Sequence, residues 1–433
     1  MKMRGEIMNE KYIINDICDV GSSKRIYLSE YQDSGIPFYR GKEIIEKDSN
    51  KEISNELFIS QERYNEIKEK FGVSKKGDIL MTAVGTIGIS WYVNEEDFYF
   101  KDGNLIWFKN FKKDIVNSRY LYYIFKSKIF SEIIKNISIG STQKAITIEQ
   151  VKKIELEFPK IEIQNKIVKI LDNISNKIKL NNEINNNLYE LSQKIYNRWF
   201  VDFEYPISSN QTYKSNGGSF KEVDGLVVPD NFIVNKLDEI CDCQNGHAFY
   251  KEGYDDSGLM VIDLGNVSLQ GNFIYTNADK YIDRNRMPNE KFIVKKNDLV
   301  MIMTDRKATM DLLGKTAKIY EDKEYALNQR IYRIRPTINV NYVYSFLNSS
   351  STLEKLKGLA LGSVQKYVNT NHINDLKIVV PSAEIMNEYS KVVDPVFKRM
   401  EENILENRNL EIMRDSLLPK LMNGEIDLDN IEI

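Results

Sequence analysis

Along the first third of the chain, apolar residues fall into short compact runs separated by polar turns. Asp78–Ala83, Ile89–Val93 and Leu105–Lys109 are rich in β-branched and aromatic side chains, which predicts strands. Ser60 stands before a stretch that closes at Gly72, predicting an N-capped helix through Lys70. Leu121, Ile124, Phe125, Ile129 and Ile133 recur at helical spacing and predict a helix over residues 118–136. Thr147 with Gln150 has the capping-box pattern and opens a turn ahead of a strand at Ile154–Phe158.

After Pro159 the period changes to seven. Residues 160–199 hold no Gly or Pro, and a heptad frame puts Ile167, Ile174, Asn181, Leu188 and Ile195 at a, with Ile170, Lys177, Ile184 and Leu191 at d. A second run follows Pro381. It has Tyr389, Val396, Asn403, Leu410 and Leu417 at a, and Val392, Arg399, Glu406 and Met413 at d. Pro395 predicts a kink or a late start in this helix. Both stripes turn polar in the middle, where Asn181 and Asn403 hold equivalent places; a polar layer costs stability and sets register.

That equivalence belongs to a larger repeat. Gly140-Ser-Thr-Gln-Lys144 returns 222 residues later as Gly362-Ser-Val-Gln-Lys366, and Ile148–Pro159 matches Thr370–Pro381 without a gap. Arg119–Phe125 matches Asn341–Leu347 at the same offset; Lys75–Asp78 pairs with Lys295–Asp298, and Ile17-Cys-Asp19 with Ile240-Cys-Asp242. Segment order is kept while loop lengths drift, so the chain is a tandem duplication. The first helix must lead out of copy one and the second must return. The expected fold is therefore α+β: two tandem mixed α/β domains joined by two long antiparallel coiled-coil helices, with an approximate two-fold. The expected boundaries are a first domain at 1–159, a spacer helix at 160–204, a second domain at 205–381, and a closing helix and tail at 382–433. The alternative is that each helix packs separately on its own domain.

Composition narrows the function classes. With 42% apolar and 28% charged residues among 433, the chain is globular, and 60 Lys and Arg against 63 Asp and Glu leave a net charge of −3. A near-neutral balance argues mildly against a nucleic-acid binder, but local clefts decide that question. No apolar run approaches the ~18 residues of a membrane span, and Met1-Lys-Met-Arg4 leads into no signal-like run, so a cytoplasmic chain is expected. Cys18, Cys241 and Cys243 are too few for a disulfide framework.

Catalytic chemistry is not in view. No P-loop and no Gly-rich dinucleotide loop occurs. Asp394-Pro-Val-Phe397 has the outline of an adenine-methyltransferase tetrapeptide but holds one proline only and lies on a predicted helix. Cys241, Cys243 and His247 lack the spacing of a closed zinc site, and the repeat of Cys18 at Cys241 reads as a small core residue; no metal is expected.

Four stretches carry a family resemblance. They are Gly77-Asp-Ile-Leu-Met-Thr82 followed by Gly85-Thr-Ile-Gly88, the repeated GSxQK turn, Arg198-Trp-Phe-Val-Asp-Phe-Glu204, and Ser416-Leu-Leu-Pro-Lys-Leu-Met-Asn-Gly-Glu-Ile426. Together they resemble the specificity subunits of type I restriction–modification systems over nearly the whole chain. Copy two departs from the pattern, with Met303-Thr-Asp-Arg-Lys-Ala308 where GTIG would stand.

The resemblance implies a non-catalytic chain whose two target-recognition domains each read half of a bipartite, asymmetric double-stranded DNA site. It also implies two adenine-N6 methyltransferase subunits along the helices, and restriction subunits that join for cleavage. S-adenosylmethionine, ATP and Mg would belong to those partners, with no cofactor on this chain. The host would be bacterial or archaeal, with the protein at the nucleoid. Alternatives are an orphan or silent cassette acting only as an interaction module, and a fused methyltransferase–nuclease.

Under this resemblance, DNA contacts are expected from loops. The repeated Gln143, Lys144, Gln365 and Lys366 suit phosphate positioning, because a residue shared by both copies discriminates poorly between different half-sites. Loops that differ between copies suit base reading: Lys24 and Arg25 against His247; Arg40 and Lys42, with Tyr39–Lys42 set against Asp263–Asn266; and Thr82 and Thr86 against Thr304, Arg306 and Lys307. Each is equally a solvated loop in the plainer reading. Asn181, Leu188, Trp199, Phe200, Asn403, Leu410 and Leu417 are the expected spacer and subunit-binding positions, with core packing as the competing role of the two aromatics.

Overall fold

The computed structural model describes residues 9–48, 53, 56–94, 97–138, 145–250, 253–275, 279–307, 309–363, 365–422 and 426. The chain divides into two compact units, Met1–Ile178 with Asn409–Ile433, and Lys179–Arg408.

In the first unit a four-stranded antiparallel sheet runs Asp19–Gly21, Leu105–Lys109, Ile79–Thr82, Ser90–Tyr92. Its central strands are apolar throughout because both faces are covered. Ile79, Met81, Ile106 and Phe108 enter one core, while Leu80, Leu105 and Trp107 enter another. The buried carboxylate of Asp78 accepts from the Trp107 indole at 2.8 Å and from the Lys75 amide at 2.9 Å. Burial still pushes its pKa up. A second sheet runs Tyr31–Gln32, Phe58–Ile59, Ile36–Tyr39, Tyr99–Phe100, its last pair parallel. Glu10–Ile13 pairs with Glu155–Phe158.

The second unit repeats this plan. Cys241–Asn245, Ile331–Pro336, Leu299–Ile302 and Thr316–Lys318 form the antiparallel sheet. Lys280–Ile282, Leu259–Ile262, Tyr325–Leu327 and Ile293–Val294 form the mixed one, and Ile233–Lys236 pairs with Lys377–Val380. Asp298 repeats the Asp78 turn through the Lys295 amide at 2.8 Å, with Arg335, at the position of Lys109, making the side-chain bond that Trp107 makes in the first unit. Two hairpins, Pro206–Thr212 and Phe220–Pro229, precede this plan.

The expected strands, the Ser60 cap and the Thr147–Gln150 capping box are present. The helix expected over 118–136 is instead two, Ser118–Phe125 and Lys128–Ile137, because Ser127 turns extended and caps the second. The two thiols expected in the core, Cys18 and Cys241, are buried, and burial pushes Cys18 up to about 12.

The long helices run Ile161–Tyr196 and Ala383–Met422. The second begins upstream of Pro395, not after it. The two helices pair rather than packing separately: Asn181 donates to Asn407 at 2.9 Å and Asn403 to Asn185 at 2.8 Å, an antiparallel register. The a positions Ile167, Ile174, Asn181, Tyr389 and Asn403 are buried as expected, whereas the d positions are not. The second buried row lies one residue later, at Leu171, Asn185 and Ser192 on one helix and Val393, Met400, Asn407 and Leu421 on the other. Leu191, Val392 and Met413 are exposed. The seam keeps its alternating steps of three and four residues but in a shifted frame, with the expected a row taking the d place and the row one residue after the expected d taking the a place.

Candidate nucleic-acid interface

In each unit, several loops meet at one end of the antiparallel sheet. In the first unit, strand Asp19–Gly21 ends there, Leu105 starts there and Thr82 ends there. Ser23 donates to Phe100 O at 2.7 Å, Gly103 N to Ser22 at 3.3 Å, and Ala83 N to Asn104 O at 2.8 Å. The loops are thus tied into one surface. A cleft of about 520 Å³ opens on it, lined by Arg40, Gly41, Lys42, Ile45, Glu46, Thr82, Val84, Thr86 and Asn104.

Four residues selected from the sequence line that cleft, but they are not alike. Thr86 and Lys42 are exposed. Arg40 is partly committed: its guanidinium grips the fully buried Glu43 at 2.7 and 3.1 Å. Burial alone would raise Glu43, yet hydrogen bonds from the Arg40 side chain and amide hold it below the usual carboxylate value. Thr82 is a correction. It is wholly buried, and its hydroxyl donates to Thr86 O at 2.6 Å and accepts from Ile89 N at 3.0 Å. It ties the Gly85–Gly88 turn and presents nothing outward. Lys24 lies over the Phe71 ring at 5.1 Å, and Arg25 pairs with Asp102 at 2.8 Å.

The second unit builds the same end from different side chains. Thr304–Asp305 pairs with Lys366–Tyr367, and Val84 bridges Ala145 at the corresponding place in the first unit. Ile146 N donates to Ala83 O at 2.9 Å, and Val368 N to Met303 O at 3.0 Å, so both repeated turns lead onto the same strand end. Gln143 and Lys144 themselves lie outside the described residues. Gly362 has φ +90, and a Cβ there would strike the Gln365 carbonyl, which explains the glycine of the second pentapeptide. Buried Asp305 accepts from Lys307 N at 2.9 Å and Leu312 N at 2.8 Å, fixing a loop that exposes Arg306 and Lys307. Gln365 and Thr304 are half-buried, each with a polar side-chain atom lacking a hydrogen-bond partner among the described residues. His247 is half-buried between the rings of Phe249 and Phe292, 5.2 Å from each, so it packs rather than projects.

A family model described as the type I restriction modification DNA specificity domain matches residues 8–190 and again 229–410. The chain belongs to that family. Among curated relatives, the Methanocaldococcus jannaschii type I restriction enzyme MjaIX specificity subunit is 24% identical over 96% of this chain and 93% of its own length. The Haemophilus influenzae HindI specificity subunit is 26% identical over 81% and 87%. A solved type I restriction–modification S subunit from M. genitalium covers 98% of both chains with a TM-score of 0.53 at 16% identity, and so shares the fold. The protein is thus a specificity subunit of the type I kind, a non-catalytic component with two tandem specificity domains joined by long helices. No described helix is long and apolar enough to cross a membrane, and no described group of His, Cys, Asp or Glu could hold a metal.

The specificity domains also reveal what the sequence reading passed over. At an offset of 223, Tyr31-Gln-Asp-Ser-Gly35 repeats as Tyr254-Asp-Asp-Ser-Gly258. The following loop keeps that offset, so Arg40 stands opposite Asp263, one residue from the expected alignment. Glu43 accepts from Arg40 N and Asn266 from Asp263 N, both at 2.8 Å. Asn104 in the cleft lies on a loop with no repeated motif to mark it. Trp199 and Phe200, 8% and 3% exposed, are core residues of the second unit packed edge-on against Tyr389, so neither offers a docking surface. Asn181 and Asn403 belong to two amide layers of the helix pair, with Asn407 and Asn185 respectively, while Leu188, Leu410 and Leu417 are half-buried on the same helices.

Proposed function

We propose that the loop end of each specificity domain reads one half of a bipartite double-stranded DNA site. The paired helices would serve as the spacer and as the platform for adenine-N6 methyltransferase subunits, with restriction subunits joining that assembly. One observation carries this reading. Two copies of one scaffold hold divergent loops at the same sheet end, which is what reading two different sequences with one architecture requires. Arg306, Lys307 and Lys366 suit guanine edges and phosphates, and Thr86, Lys42 and Asn104 suit mixed edges. S-adenosylmethionine, ATP and Mg would enter with the partners.

The test exchanges residues 1–158 for the matching segment of a relative and maps N6-methyladenine after co-expression with the methyltransferase subunit. One half of the methylated motif is expected to change while the other stays. A change in both halves rejects the modular reading.

A further inference from the structure

All 25 tyrosines of the chain lie within the described residues, and only Tyr27, Tyr250 and Tyr367 are exposed. The two most exposed, Tyr27 at 62% and Tyr250 at 75%, occupy the same position in the two specificity domains. The equivalence is fixed on both sides. Asp19 lies opposite Lys109 and Asp242 opposite Arg335; downstream, Ile36 lies opposite Ile59 and Leu259 opposite Ile282. The intervening chain keeps the offset of 223 without a gap. The preceding residue points inward in both copies: Ile26 is buried and Phe249 packs on a small core. The same turn closes after each tyrosine, Glu30 N to Tyr27 O and Gly253 N to Tyr250 O, both at 2.9 Å.

One exposed aromatic side chain means little on its own. Here the neighbours have diverged, Lys24 and Arg25 becoming His247 and Ala248, while the tyrosine and its outward direction persist. Its backbone role does not call for an aromatic side chain, since the turn uses main-chain atoms alone: the carbonyl in both copies and, at Tyr27, the amide that donates to Glu30 at 2.7 Å. The loop that carries it starts at the candidate interface. In the first domain it is tied to residues 99–105, which lead to Asn104 of the cleft. In the second, Gly246 N and His247 N donate to Ile331 O and Leu327 O.

We propose that Tyr27 and Tyr250 are DNA-contacting residues, one per half-site, each packing its ring on an apolar face of the duplex such as a thymine methyl or deoxyribose. The hydroxyl is then left for a phosphate oxygen. A residue shared by both copies contributes affinity and orientation rather than discrimination. This rests on the DNA-reading function proposed above.

The experiment uses the complex co-expressed with its methyltransferase subunit, and fluorescent duplexes carrying the mapped motif with both halves intact or either half scrambled. Tyr27→Ala is expected to weaken binding to the intact duplex roughly tenfold, the size of one aromatic–nucleotide contact. It should leave the slope of affinity against salt unchanged, because no charge is lost. Tyr27→Phe keeps most of the affinity. Scrambling the first domain's half-site abolishes the Tyr27→Ala effect but not that of Tyr250→Ala, and the converse holds for the other half. Parent-like binding by both alanine variants overturns the proposal, as does loss of the methyltransferase subunit on gel filtration, which would make the tyrosines a protein contact. Failure of the underlying reading looks different: the parent complex would then not distinguish intact from scrambled duplexes, and Arg306→Ala would change nothing.

Discussion

Gly258 has φ +125, and a Cβ there would meet the carbonyl oxygen of Ile282; Gly35 has φ +134 and meets Ile59 in the same way. Strand spacing at these points is set by the missing side chain, and no rotamer relieves the collision because the obstacle is backbone. Gly258→Ala is expected to destabilise the second unit by roughly 2–4 kcal/mol in urea titration, combining left-handed strain with displacement of the strand. Gly253→Ala, which meets open space, should be close to neutral. Residue type and position told much about this end of the sheet: Arg40, Lys42, Thr86, Arg306, Lys307 and Lys366 were all picked from loop chemistry. What each side chain is bound to was not legible. The Thr82 hydroxyl is used up by a carbonyl four residues on, and the Arg40 guanidinium is partly committed to a carboxylate inside the core. Those facts depend on how the chain turns back, and the same letters in an open loop would point outward.

At the level of elements, strands and caps were readable because their signals are local. The break at Ser127 was not, since Lys126-Ser-Lys128 also fits the polar face of one continuous helix. The helix pair shows the same limit. The sequence puts Asn181 and Asn403 in its seam, while their partners Asn407 and Asn185 lie one residue past the expected d row, among them a 2.8 Å bond from Asn403 to Asn185. Removing one partner of a buried pair leaves the other without compensation. Asn185→Ala is therefore expected to cost roughly 1–3 kcal/mol. Asn185→Leu with Asn403→Leu should recover much of that loss, showing a coupling term in a double-mutant cycle by chemical denaturation. The recovered stability would come with weaker register control, since the amides specify which layers meet.

For the whole molecule, duplication was the most legible feature, and residues offset by 220 to 226 reappear in equivalent strand pairings. The division of the helices was not legible. The first unit takes Met1–Ile178 but also Asn409–Ile433, and Leu418 and Leu421 enter the same core as Ile167, Leu171 and Tyr120. A chain ending at Arg408 should keep the second unit intact while the first loses roughly 3–6 kcal/mol, from the two leucines alone. Hydrogen exchange would then accelerate in Ser118–Phe125 and not in Val340–Leu347. The same discontinuity governs the order of birth. On the ribosome, the second unit is complete once residue 408 has emerged, whereas the first unit, although synthesised earlier, waits with its Ile167–Leu171 face uncovered for the last helical turns. Translation that stops short of those turns yields a nascent chain whose older half is its less finished one.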